Sequence, residues 1–257
     1  MCSIFPPEEL NHTVIKSPND KNTYYLDMLP NGLKYIVVSN PEIDRSAVSL
    51  DVYVGFSDDP REYQGLSHYI EHTIFLGTQK YPEASCFDNF LNDNSGNSNA
   101  NTSIESTNFH YDISNNALEE SIMMFSEFFK TPLFTKELID KELNAIESEF
   151  RLNLRDEDIR LAQLVLSEGY KNSTLNTFNC GNLETLKKEE IREKAIEFYN
   201  NKYDAKIMAL GIFSNKSIEE LKNIVIKYFS DIKSVQGYQL TKKIIYMIAI
   251  IWDIFIK

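Results

Sequence analysis

Apolar and polar positions along the chain recur with two different periods. "TYYLDML", "PNG" and "LKYIVVS" (23–39) read as strand, turn and strand, with Asn31 and Gly32 supplying the turn. "SAVSLDVYVGF" (46–56) alternates well enough to predict a third strand, "FHYDI" (109–113) a fourth and "KIMALGIF" (206–213) a fifth. Helical spacing takes over elsewhere. Leu118, Ile122, Phe125 and Phe129 recur every three or four residues until Pro132 stops the element. A longer helical pattern runs from Thr135 to about Leu154, and another from Glu157 to about Tyr170. "KKEEIREKAIEFYNNKY" (187–203) is amphipathic, and "SIEELKNIVIKYFSDI" opens on Ser217 and Glu220 at the spacing of a capping box.

Strands early and late with helices mostly between them predict an α+β fold, a mixed and largely antiparallel sheet flanked by helices. By the same reading "SGNSNANTS" (95–103) is a polar loop. Residues 1–21 form an irregular lead, 22–236 one domain, and 237–257 an apolar tail. Within the tail only Asp253 interrupts "IIYMIAIIWDIFI" (244–256). That run falls short of the ~20 residues a membrane span needs, so a buried strand or an interface segment is expected there.

Composition narrows the partners. The 257 residues carry 26 basic and 38 acidic side chains, a net charge of −12. No basic face is concentrated enough for nucleic acid, whereas neutral or basic peptides suit an acidic surface. Cys2, Cys86 and Cys180 are odd in number and far apart, which is neither a disulfide framework nor a zinc knuckle. A reducing compartment, the cytoplasm by default, is therefore expected. The N-terminus lacks a charged start followed by an apolar core, so no secretory leader is expected either.

Candidate chemistry concentrates in "SHYIEHTIFLG" (67–77), which holds two of the chain's four histidines. At about 100° per residue, His68, Glu71, His72 and Phe75 share one side of a helix. Leu66, Tyr69, Ile70, Thr73 and Ile74 cover the core-facing side, and Gly77 is placed to end the helix. Two neutral imidazoles with a carboxylate beside them suit a zinc site: the histidines bind the metal and Glu71 serves as general base. A partly exposed helix that happens to carry two histidines is the bland alternative, and the motif alone leaves both open. Glutamates on the helix after Thr135 read, from the residues alone, as surface groups.

H-x-x-E-H is the inverted zincin pattern, and here it extends into a longer likeness. "DVYVGFSDDPREYQGLSHYIEHTIFLGTQKYPEASCFDNFLNDNSGNSNANTSIESTNFHYDI" resembles the insulinase branch of the insulinase/pitrilysin metallopeptidases. "FFKTPLF", "KELNAIESEF", "FNCGNLETL" and "FYNNKYDAKIMALGIFS" continue the likeness in the same order, over roughly residues 24–232.

The resemblance implies Zn2+ bound by His68, His72 and a distal ligand, Glu149, with Glu71 as catalytic base and Glu142 supporting the site. It also implies that 95–103 is an exposed edge strand to which a peptide substrate adds, with contacts at Asn99 and Ala100. Phe75 would line the pocket beside the metal or simply pack.

The family's active enzymes enclose peptides in a chamber built from two halves, of which this chain matches one domain. The implied function is thus a zinc endopeptidase acting on peptides or small proteins, with further domains or a partner chain supplying the missing walls. The alternative is a non-catalytic or residually active peptide-binding subunit or truncated homologue. A structural zinc site is disfavoured, since such sites are closed by four protein ligands, often cysteines.

Overall fold

β1 (Thr23–Met28) and β2 (Lys34–Ser39) form an antiparallel hairpin. Gly32 closes its turn at φ 93°, in the left-handed region that favours glycine. The Asn31 side chain reaches from the same turn to donate to the carbonyls of Phe229, Ser230 and Ile232, tying the hairpin to the last helix. β3 (Arg45–Val52), β4 (Asn97–Thr102), β5 (Thr107–Ser114) and β6 (Met208–Ser214) complete one six-stranded sheet in the order β1-β2-β6-β3-β5-β4. β6 runs parallel to β2, and every other pairing is antiparallel. The fold is α+β, with a mixed sheet flanked by helices. The computed structural model describes residues 14–168 and 178–234; most of the N-terminal lead, Cys2 and the apolar tail lie outside the described residues.

Alternation sets which face of the sheet is covered. Val48, Leu50 and Val52 of β3, Phe109, Tyr111 and Ile113 of β5, and Leu210 and Ile212 of β6 are buried in one core. Eight helices are described: α1 (Leu66–Ile74), α2 (Cys86–Asp93), α3 (Leu118–Phe128), α4 (Ile139–Asn153), α5 (Glu157–Ser167), α6 (Leu183–Leu186), α7 (Ile191–Lys202) and α8 (Ile218–Phe229). The predicted capping box of α8 is formed, with Ser217 accepting from the Glu220 amide and Glu220 from the Ser217 amide. Phe87, Tyr111, Phe125, Phe128 and Phe129 pack edge-to-face or tilted at ring separations of 5.1–6.4 Å. Each such ring contributes roughly 1.5–3 kcal/mol through burial.

Four elements depart from the periodic reading. The strand expected over 46–56 ends at Val52, and Phe56–Asp58 turns into a short 3-10 segment. α2 and α6 were not anticipated. α2 buries only Phe87 and Leu91, one turn apart, which is too little repetition to show a period. The segment read as a polar loop is β4, an edge strand whose partner on one side is β5 and whose other side faces no strand among the described residues. Its side chains are half-buried or exposed, so the strand is held by backbone pairing and leaves no apolar alternation to read.

Candidate metal centre

The site is built on α1. Leu66, Tyr69, Ile70, Thr73 and Ile74 are at most 1% exposed, which fixes the helix to the core by its far face. Its first turn is held by Asp59, whose carboxylate accepts from the Gly65 and Ser67 amides and from the Ser67 hydroxyl at 2.6–2.9 Å. Burial pushes the Asp59 carboxyl up to about 7 despite those bonds. Gly65 lies at φ 89°, and a β-carbon there would sit 2.3 Å from the Gly181 α-carbon. This close approach brings the segment 178–182 against the start of α1. The Cys180 carbonyl then accepts a hydrogen bond from His68 Nδ1 at 2.7 Å.

α4 packs against α1, buries Leu143 and Ile146 in the core, and presents Glu142 and Glu149 two turns apart. Glu142 Oε2 lies 3.5 Å from His72 Nδ1. Each imidazole thus has its Nδ1 beside an oxygen acceptor, which leaves both Nε2 atoms turned inward. The two Nε2 atoms are 3.2 Å apart, and Glu149 Oε2 lies 3.3 Å from His68 Nε2 and 3.6 Å from His72 Nε2. Three ligands placed tetrahedrally around zinc at 2.0–2.2 Å are separated by about 3.3–3.6 Å. The donor triangle has that size, and its chemistry, two imidazoles and one carboxylate, is that of a catalytic zinc site.

The electrostatics agree. Burial disfavours the imidazolium of His68, but hydrogen bonding to the Cys180 carbonyl and to Glu149 outweighs it and pushes the group up to about 11. His72 is raised as well: burial opposes the charge, and the bonds to Glu142 and Glu149 overcome it. Glu149 is held far below the usual carboxylate range by the two imidazoles. Glu149 thus attracts both imidazoles while the charge of His68 opposes that of His72, and a cation entering the centre competes with protons for the same nitrogens.

Glu71 stands beside this triangle, largely buried, with Oε2 accepting a 2.6 Å bond from the Thr102 hydroxyl at the end of β4. The cleft of about 800 Å3 in front of it is lined by His68, Glu71, His72, Glu149, Asn99 and Ala100, among others. Phe75 borders the same cleft while its ring packs on Phe128, Phe109 and Phe87 at 4.7–6.4 Å. The Ala100 amide donates to the side chain of Asn99 at 3.0 Å. The structure brings together all eight residues singled out from the sequence. It adds three that periodicity and spacing do not show: Thr102, Asp59 and Cys180. None carries a local signal, because each acts through a partner 6 to 112 positions away.

Fold and cleft together have the form of a metallopeptidase domain. The chain belongs to the insulinase family, peptidase family M16, whose family model matches residues 19–180. The human insulin-degrading enzyme is 38% identical over 230 residues, 87% of this chain and 22% of that protein. A relative in Schizosaccharomyces pombe, named as a zinc protease, is 35% identical over 231 residues, 88% of this chain and 24% of that protein. A crystal structure of pitrilysin superposes with a TM-score of 0.85 at 30% identity, over 89% of this chain and 25% of that one. The chain therefore spans about a quarter of the length of these relatives. Among the described residues no helix is long and apolar enough to cross a membrane.

Proposed function

We propose that the chain is the zinc-bearing domain of an insulinase-type metalloendopeptidase. It hydrolyses peptide bonds in peptides or small proteins, with further domains or a partner chain completing the cleft. The observation that carries this reading is the triangle of His68 Nε2, His72 Nε2 and Glu149 Oε2, with sides of 3.2–3.6 Å that suit one zinc ion. Bound zinc supplies a Lewis acid for the scissile carbonyl and a water acidified towards neutral pH.

The chain's own residues divide the remaining work. Thr102 occupies Glu71 Oε2, so Oε1 is the oxygen left to take a proton from water and return it to the departing amine. Glu142 and the Cys180 carbonyl hold the two imidazole rings with Nε2 inward. The open side of β4 offers main-chain groups to an extended peptide at Asn99 and Ala100, a mode of binding that tolerates many sequences. To use the Ala100 amide the peptide must displace the Asn99 side chain from it. Domain boundaries at 22 and 236 follow from the same reading, and the free thiols Cys86 and Cys180 fit a reducing cytoplasm.

The test is cleavage of an internally quenched peptide by the purified chain beside its Glu71→Gln variant at equal zinc loading. Loss of about 10²–10⁴-fold in the variant is expected for removal of a general base. An unchanged rate would dismiss Glu71 from that role. A zinc-loaded wild type that is silent would show a metal-binding domain that needs its missing walls to act.

A further inference from the structure

We propose that Asp88 on α2 selects a basic side chain at one fixed position of the peptide that pairs with β4. The inference rests on the peptidase reading above and names a specificity determinant for it. Ser98, Ala100 and Thr102 are half-buried and alternate with the exposed Asn97, Asn99 and Asn101. Thr102 meets Glu71, so the half-buried set faces the cleft, whose lining includes all three together with Asp88. Burial raises the Asp88 carboxyl, and the Ser98 side chain, within hydrogen-bonding reach of it, works against that rise. The carboxylate of α2 therefore stands beside Ser98 of the strand.

Backbone geometry sets which peptide residue meets that carboxylate. The Ser103 amide donates to the Ser106 carbonyl at 2.7 Å and closes the hairpin of β4 and β5. Bonded and non-bonded pairs alternate along an antiparallel ladder, so Asn97, Asn99 and Asn101 bond to β5. Ser98, Ala100 and Thr102 turn their main-chain groups to the open side, and the Ala100 amide is accordingly met by the Asn99 side chain. An added strand pairs with those three. Residues directly opposite one another share a face, with β-carbons about 4.5–5.5 Å apart. The peptide residue opposite Ser98 thus projects into the cleft beside Asp88, within reach of a lysine or arginine side chain. Ser98 lies four positions from Thr102, about 13 Å along the strand, so the residue read is remote from the bond presented to Glu71.

The other acids named in the cleft are committed. Glu149 faces both imidazoles, Glu142 faces His72, and Glu71 accepts from Thr102. Asp88 has no basic side chain acting on it among the described residues, only burial and Ser98. Lys141 lines the same cleft but belongs to α4, beside Glu142. A cationic residue opposite Ser98 gains a charge-assisted hydrogen bond to Asp88, and an acidic one meets like charge. The net charge of −12 draws basic peptides in general but distinguishes no position along them. Asp88 supplies the position.

The test measures binding, so it does not depend on turnover. The full chain carrying Glu71→Gln is loaded with zinc and titrated against fluorescein-labelled neutral peptides, each bearing one arginine or its uncharged isostere citrulline, moved position by position. At one position arginine is expected to bind about 3–10-fold more tightly than citrulline, as for a charge-assisted contact partly open to water. Adding Asp88→Asn should bring that ratio to about one, and Asp88→Lys should make glutamate the favoured residue at the same position. A preference for arginine spread evenly over all positions, or one that survives Asp88→Asn, overturns the assignment and leaves the peptidase reading standing. A zinc-loaded chain that binds none of the peptides overturns strand addition at β4 and this inference with it; zinc content measured on the same sample separates that outcome from loss of the metal.

Discussion

Helix α1, which carries His68, Glu71 and His72, is clamped by its surroundings, whereas α4 and α5 border the same cleft with one side bare. On α1 five side chains are sealed in the core, Asp59 holds the first turn, and a glycine pair brings the Cys180 carbonyl to His68. Opposite, the Glu149 side chain is 44% exposed against 11% for His68. Leu152, Leu154, Leu161, Leu164 and Val165 stand in water at 51–65% exposure. Apolar residues grouped at a surface mark a place where more protein docks, and this chain spans about a quarter of its relatives' length. The difference teaches that the contacts setting the donor triangle lie within this domain, whereas the bare apolar positions of α4 and α5 lie on the side where the proposed further domains or partner chain would sit.

The strongest way to break the clamped wall is Gly65→Ala. A β-carbon at φ 89°, 2.3 Å from the Gly181 α-carbon, is expected to cost about 2–4 kcal/mol of unfolding free energy in denaturant titration. Zinc affinity should fall as well, because the Cys180 carbonyl would move away from His68.

Glu142→Gln comes next. It weakens the orientation of His72 and should lower zinc affinity by about 10–100-fold with little change in the far-ultraviolet circular dichroism spectrum. A pH series probes the same wall. His68 is pushed up to about 11 and His72 is also raised without metal, so at neutral pH zinc must displace bound protons. Affinity should therefore rise with pH, by about tenfold per unit for each proton released, in competition titrations between pH 6 and 8. A flat profile would mean that the imidazoles are already neutral.

The bare wall predicts the smallest effect. Leu164→Ser removes an apolar group that is 56% exposed, and stability should change by no more than about 0.5 kcal/mol. A large loss would show that α5 is covered more fully than the present surface implies.

A buried carboxylate away from the cleft gives a control on stability. Asp51 in β3 is 3% exposed, and burial pushes it up to about 6 against the opposing pull of the Asn108 and Ser106 side chains. Raised above its unfolded value near 3.9, this group makes the folded state bind the extra proton between pH 4 and 6. Its contribution to stability is thus lost as pH rises through that window and stays absent above it. Asp51→Asn should flatten the fall in melting temperature between pH 4 and 6 and leave zinc binding unchanged.

Much of this is legible in the sequence alone. The two periods placed five of the six strands, α1, α3 to α5, α7 and α8, and H-x-x-E-H put three chemical groups on one helical face. The longer likeness supplied what periodicity lacked. By residue type alone Glu142 and Glu149 read as surface glutamates, whereas Glu142 is mostly covered at 13% exposure and Glu149 is half-buried at 44%. The same likeness read residues 95–103 as an edge strand where their polarity read as a loop. Helices α2 and α6 escaped because they are too short to repeat a pattern.

The sequence by itself determined the local conformations and the chemical inventory, because side-chain period and cap residues act over a few positions. Only the tertiary structure decided that β6 enters between β2 and β3, that β4 pairs with β5 at the edge, and that Thr102 meets Glu71. It also decided that Cys180, 112 positions beyond His68, lends the site a carbonyl and sets a thiol close by. Those choices rest on backbone hydrogen bonds and on contacts between distant segments. Backbone groups are the same in every residue except proline, so they leave no mark in the order of side chains.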